Sequence, residues 1–232
     1  MTTPGSRDVP VVAIDGPSGS GKGTIARRVA KALGWHLLDS GALYRLTALA
    51  AQRSGMSDAP EGELARIAES LEVRFTADAA GAEQIWLSGH EVTADVRTEE
   101  CGRLASHVAA LPAVRKALLG LQRGFRRPPG LVADGRDMGT TVFPDAALKV
   151  FLTASAGERA RRRYKQLKDK GIDVSLPALS RHIEARDRRD SERSVAPLRA
   201  AEDARLLDSS NLTIDEVTRT VLVWVKELLP AK

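Results

Sequence analysis

Short apolar runs alternate along this chain with stretches whose apolar residues recur every three or four positions. Val11–Ile14, Leu37–Leu38, Leu131–Ala133 and Val150–Leu152 predict buried strands, and Leu206–Leu207 a weaker fifth. Ile25, Val29 and Leu33 share one helical face, with Gly34 placed as a stop. Leu43, Leu46 and Leu49 predict a second helix after Ser40, a favourable N-cap. Strands alternating with helices predict an α/β fold: a five-stranded parallel sheet covered on both faces, in three layers. Two regions break the alternation. Glu72–Thr76 and Gln84–Ser88 predict short strands separated by the small-residue stretch Ala77–Ala82, a small antiparallel β insert on the frame. After Leu152 a basic stretch predicts two helices joined near Gly171–Pro177. Pro128-Pro129-Gly130 predicts a loop before a core strand, and Pro112 the first turn of a helix.

Composition narrows the class. The chain has 232 residues, 43% of them hydrophobic, enough for a real core and for one α/β domain with insertions. Aromatic residues make up only 4%, which argues against a base-stacking surface of interleaved rings. The single cysteine, Cys101, excludes a disulfide scaffold or a cysteine-rich zinc site and fits a reducing compartment. Between Gly157 and Arg193 stand twelve Lys/Arg against seven Asp/Glu, so this one segment equals the net excess of +5 for the whole chain. That concentration points to a localised anionic partner. Met1–Pro10 lacks the apolar centre of a signal peptide, and no apolar run approaches the ~18 residues of a membrane span. A cytoplasmic monomer is expected.

The sharpest chemical signal is Gly16-Pro17-Ser18-Gly19-Ser20-Gly21-Lys22-Gly23-Thr24, which follows a predicted strand and opens a predicted helix. Glycines let backbone amides curl around an anion, the helix N-terminus adds partial positive charge, and Lys22 would reach the β- and γ-phosphates of a nucleotide. The competing reading is a flexible turn before an ordinary helix. One departure stands out: the position after the lysine, usually Ser or Thr, is Gly23, with Thr24 one place later. This leaves direct or water-mediated ligation of Mg²⁺ by Thr24 equally open. Asp134 ends an apolar strand and either holds a water on Mg²⁺ or caps the following turn. Asp15 has the same choice.

Gly-Lys-Gly-Thr in place of Gly-Lys-Thr resembles the nucleoside monophosphate kinases. Asp39-Ser40-Gly41-Ala42-Leu43-Tyr44-Arg45, Asp134-Gly135-Arg136-Asp137-Met138-Gly139-Thr140, Phe143-Pro144-Asp145-Ala146 and Arg186-Asp187-Arg188-Arg189-Asp190 together resemble bacterial cytidylate kinase over nearly the whole chain. The resemblance implies a single P-loop kinase domain over residues 1–232. Within it, residues 40–110 would bind the monophosphate, with a β insert near 71–97, and residues 156–176 would form a lid. It implies transfer of the γ-phosphoryl of MgATP to CMP or dCMP. Gly16 to Thr24 would bind ATP, while Ser40, Arg45 and Arg136 would contact the acceptor phosphate. Ser106 and Asp137 would accept from the cytosine amine, and Arg115 would donate to N3 and O2. Arg186 and Asp190 would hold the sugar hydroxyls, and Arg193 the acceptor side or the phosphates.

Spacing adds independent support. Arg159, Arg162 and Arg163 fall at i, i+3 and i+4 on one helical face, suited to a lid that neutralises the transferring group. Arg159 and Arg163 are the expected catalytic pair beside Lys22 and Arg136. The bland alternative is a solvated charged helix. Two other functions remain open at this level: a kinase for AMP, UMP or a small non-nucleotide acceptor, and an ATP-binding module for nucleic acid. The Asp-Gly-Arg-Asp string weighs against the first, and the scarce aromatics against the second.

Overall fold

The computed structural model describes residues 9–77, 83–169 and 171–229. The predicted Ala77–Ala82 spacer lies outside them except for Ala77, as do residues 1–8 of the polar N-terminal segment. The chain divides into two compact units, Met1–Asp39 with Arg123–Lys232, and Ser40–Gln122.

In the first unit, β1 (Val11–Asp15), β2 (His36–Asp39), β6 (Leu131–Gly135), β7 (Leu148–Thr153) and β8 (Arg205–Asp208) form one parallel sheet in the order β2-β6-β1-β7-β8. β1 and β6 are buried along their whole length, as a central parallel strand covered on both faces must be. Each strand outruns its apolar run, because ladder hydrogen bonds rather than side-chain hydrophobicity set its limit. The overhang matters, since it carries Asp15, Asp39 and Asp134 to the carboxyl edge. There Asp39 lies opposite Asp134, and Asp15 opposite Gly135. The chain leaves β1 toward β2 on one side and crosses from β6 to β7 on the other, so the edge beyond β1 is a topological switch point, where α/β sheets bind ligands.

Helix α1 (Lys22–Leu33) and helix α8 (Ile214–Leu228) close a core around Val12, Ile14, Val132, Val150 and Leu152. α1 contributes Ile25 and Val29, as its periodicity predicts, and ends on Gly34 in a left-handed conformation (φ 66°). α8 contributes Val217, Val221 and Val225. Its start is fixed by a capping box, in which the Thr213 hydroxyl accepts from the Glu216 amide while the Glu216 carboxylate accepts from the Thr213 amide. Two further helices, α6 (Ala156–Lys168) and α7 (Leu176–Ser191), form the predicted basic pair. No single helix among the described residues is long and apolar enough to cross a membrane.

The second unit holds α2 (Ser40–Arg53), α3 (Glu61–Glu69), α4 (Glu99–Val108) and most of α5 (Pro112–Arg123), with an antiparallel sheet of β3 (Val73–Ala77), β4 (Glu83–Leu87) and β5 (His90–Glu91). The two predicted insert strands pair as a hairpin, Phe75 opposite Ile85. The third, β5, has two exposed residues and no alternation to reveal it. Ser40 lies within the first turn of α2 rather than capping it, because β2 ends at Asp39 and the helix begins at the next residue.

Candidate active site

After β1 the chain turns sharply and enters α1. Gly16 must be glycine, for a Cβ there would lie 2.0 Å from the Leu152 carbonyl oxygen. Gly19 and Gly21 take left-handed φ values of 80° and 90°, which other residues rarely adopt. The Pro17 carbonyl accepts from the Ser20 amide at 3.4 Å and from Lys22 Nζ at 3.2 Å, folding the lysine back over its own loop. Lys22 is buried. Burial, with Arg136 adding to the effect, lowers its pKa to about 8. An anion seated there would restore its charge.

Gly23 lies against Asp134. A Cβ on Gly23 would stand 3.0 Å from Asp134 Oδ2, tighter than ordinary contact, so a serine or threonine after the lysine would press on this carboxylate. Asp134 is buried and its Oδ1 has no hydrogen-bond partner. Burial and the facing Asp39 raise its pKa to about 6, against the opposing pull of Lys22. A buried carboxylate oxygen left unsatisfied is costly unless a cation or water meets it. Asp134, with the half-buried Thr24, fits a divalent cation held mainly by substrate phosphates and water. Among the described residues no group of three or more His, Cys, Asp or Glu could hold a metal alone.

Beyond Asp134, Arg136 Nε donates to Asp190 Oδ2 at 2.9 Å. Burial works against both charges but each outweighs it for the other: the Asp190 carboxylate keeps Arg136 firmly protonated, and Arg136 with Arg186 holds Asp190 below the usual carboxylate range. The guanidinium is therefore fixed before any ligand arrives. Asp137 is buried and precedes a single wide π-helical turn, Met138–Val142. The Asp15 carboxylate pins that turn, accepting from the Met138 and Gly139 amides at 2.8 Å each. Burial, with smaller contributions from Asp137 and Asp134, raises Asp15 to about 7 although the amides pull the other way. So Asp15 caps the turn after Asp137 across 123 residues of sequence, a contact no local pattern encodes.

Of the three arginines on one face of α6, Arg159 is buried. It pairs with Asp187 at 2.6 Å and donates to the Ser18 carbonyl at 3.0 Å. Arg162 donates to Glu158, to the Ser20 carbonyl and to Ser209. Arg163, half-buried, donates to Gln166 at 3.3 Å. On α7, Asp190 is buried while Arg186 is half-buried. Arg193, just past the helix end, donates to the Asp190 carbonyl at 3.3 Å.

In the second unit, Ser40 is buried, and Arg45 donates to the carbonyls of Val96 and Thr98 at 2.6 and 3.1 Å. Gly102 makes room for it, since a Cβ there would lie 2.8 Å from Arg45 Nη2. Ser106 is buried with no partner for its hydroxyl. Arg115, also buried, donates to the Ala109 carbonyl at 3.0 Å and lies over the Tyr44 ring at 5.5 Å. Sequence reasoning passed over Gly102 and Ser209 entirely. Each acts on a partner far away in sequence, which no local pattern signals.

A family model described as cytidylate kinase matches residues 12–227. A cytidylate kinase from Methylococcus capsulatus is 61% identical over 218 residues, covering 94% of this chain and 97% of that protein. One from Nitrosococcus oceani is 56% identical over 221 residues, covering 95% and 97%. Among solved structures, a shikimate kinase from Acinetobacter baumannii is similar at a TM-score of 0.43 and 14% identity, over 98% of this chain and all of that one. With its phosphate loop, its buried lysine and its paired arginine and aspartate already in place, the chain belongs to the cytidylate kinase family.

Proposed function

We infer that this protein transfers the γ-phosphoryl group of ATP to CMP or dCMP, releasing ADP and CDP or dCDP. One observation carries the chemistry: a glycine loop curled at the carboxyl edge of β1 with a buried ammonium folded over it, a site whose own charge is unfavourable until a polyphosphate arrives. Gly16 to Thr24 bind the donor, and Lys22 bears on its β- and γ-phosphates. Asp134 and Thr24 would hold Mg²⁺, directly or through water, and the ion would supply charge neutralisation on those phosphates.

Ser40, Arg45 and Arg136 hold the acceptor phosphate. Ser106 and Asp137 accept from the cytosine amine while Arg115 donates to N3 and O2. The partnerless buried hydroxyl of Ser106 supports this role. UMP would turn a carbonyl toward Asp137, leaving two acceptors opposed, at about 1–3 kcal/mol per unpaired group. Arg186 and Asp190 meet the sugar hydroxyls, and Arg193 the acceptor side or the phosphates. Residues 156–176 serve as the lid, bringing Arg163 to the transferring group, while Arg159 bears on it from its place at the Ser18 carbonyl of the loop. The whole chain acts as one P-loop kinase domain, with residues 40–110 receiving the monophosphate.

No general base is required. The acceptor phosphate has a second pKa of about 6 and is already anionic at neutral pH. One of its oxygens attacks the γ-phosphorus in line, and the bridging oxygen leaves with ADP. The residues contribute alignment and charge, and closure keeps water from the γ-phosphate. A panel of CMP, dCMP, UMP, AMP and GMP with MgATP, followed by ADP release, tests the assignment. CMP and dCMP should turn over fastest; a purine monophosphate that outpaces both, or ADP release independent of acceptor, would refute it.

A further inference from the structure

The amides of a phosphate loop bind an anion only if they point inward, and in this chain donors from outside the loop hold the opposite ends of the same peptide units. In a planar trans peptide the C=O and N–H point in opposite directions. The Ser18 carbonyl is held by Arg159 Nη1 at 3.0 Å, which turns the Gly19 amide the other way. The Ser20 carbonyl is held by Ser209 Oγ at 3.2 Å and Arg162 Nη1 at 3.3 Å, which does the same for Gly21. Among the described residues no acceptor meets the Gly19 or Gly21 amide. Both glycines have wide torsional freedom, so the loop does not hold these orientations unaided.

Ser209 is the centre of this arrangement. It is the first residue after β8 and is buried, with its amide donating to the Thr153 carbonyl at 2.9 Å. Arg162 donates both to its hydroxyl, at 3.1 Å, and to its carbonyl. The single hydroxyl proton goes to Ser20 or, at 3.0 Å, to Thr153, while the oxygen accepts from Arg162. Arg162 is in turn oriented by Glu158 at 3.0 Å.

We propose that Ser209 is a positioning residue for the nucleotide donor, fixing the Ser20 carbonyl together with Arg162 so that the Gly21 amide faces the polyphosphate. The proposal rests on the reading of Gly16 to Thr24 as the ATP loop. Ser209→Thr and Ser209→Val are close in shape and differ by the hydroxyl, and Ser209→Ala covers the case in which a branched side chain does not fit. Calorimetric titration with ADP, beside KM for ATP and for CMP and a thermal melt, reads the effect. Ser209→Val should bind ADP about fivefold more weakly than Ser209→Thr, the factor carried by one hydrogen bond, and Ser209→Ala should weaken it similarly. KM for ATP should rise in step with KM for CMP unchanged, and the melt should show each variant folded at the assay temperature. Equal ADP affinity in Thr and Val variants with wild-type affinity in Ala would overturn the proposal, as would parallel losses in both KM values. Wild-type protein that binds ADP but makes no CDP would sink the acceptor assignment and leave this titration decisive; wild-type protein that fails to bind ADP would sink both.

Discussion

Lys22 pairs its role with a penalty. Because burial lowers its pKa to about 8, folding disfavours its charged form, and removing it should relieve the apo protein rather than weaken it. Lys22→Ala is expected to lose about a thousandfold or more in turnover while Tm stays level or rises, measured by coupled assay and calorimetry. Gly102 offers the opposite kind of test. Gly102→Ala adds a methyl 2.8 Å from Arg45 Nη2 in the middle of α4, where alanine favours the helix by about 1 kcal/mol over glycine. KM for CMP should rise about tenfold with KM for ATP and stability unharmed; an unchanged KM for CMP would free Arg45 of its acceptor role. The phosphate loop was legible at this scale because its amides, glycines and lysine are consecutive. Asp15 was not, since the amides it accepts from lie 123 and 124 residues away.

Among the elements, α8 shows how an unremarked segment carries weight. It seals the core with Val217, Val221 and Val225, and its start depends on the Thr213–Glu216 capping box. Thr213→Ala should cost about 1 kcal/mol, lowering Tm by roughly 2–4 °C for a chain of this size, with kcat and both KM values unchanged. A change in KM would mean that α8 touches the site. The strands were legible as apolar runs, one or two residues short at their ends, because their last residues are polar yet still paired in the ladder. Among those residues, Asp15, Asp39 and Asp134 stand at the carboxyl edge of the sheet.

For the whole molecule, the carboxyl edge of the sheet is a place where charge is held at a cost, and pH exposes it. Asp15 titrates near 7 in the folded state against an ordinary 3.8, so the native protein binds an extra proton between these values. Stability from this group is therefore lost as pH rises from about 4 to about 7 and is flat above. Lys22, shifted from 10.5 to about 8, works in the other direction, and stability is regained as pH rises from about 8 to 10.5. Denaturant melts across pH 4–7 should show the Asp15 decline flattened in Asp15→Asn; an unaltered slope would assign it elsewhere. Taken alone, the order of residues determined the five core strands and the helix after the first of them, the anion-binding loop and the residue types of a nucleotide kinase, because these follow from local periodicity and contiguous motifs. Tertiary structure alone decided the order β2-β6-β1-β7-β8, the burial that shifts Lys22, Asp134 and Asp15, and the backbone holds made by Asp15, Arg159 and Ser209. Those depend on desolvation and on hydrogen bonds between segments far apart in the chain, which no local pattern of residues specifies.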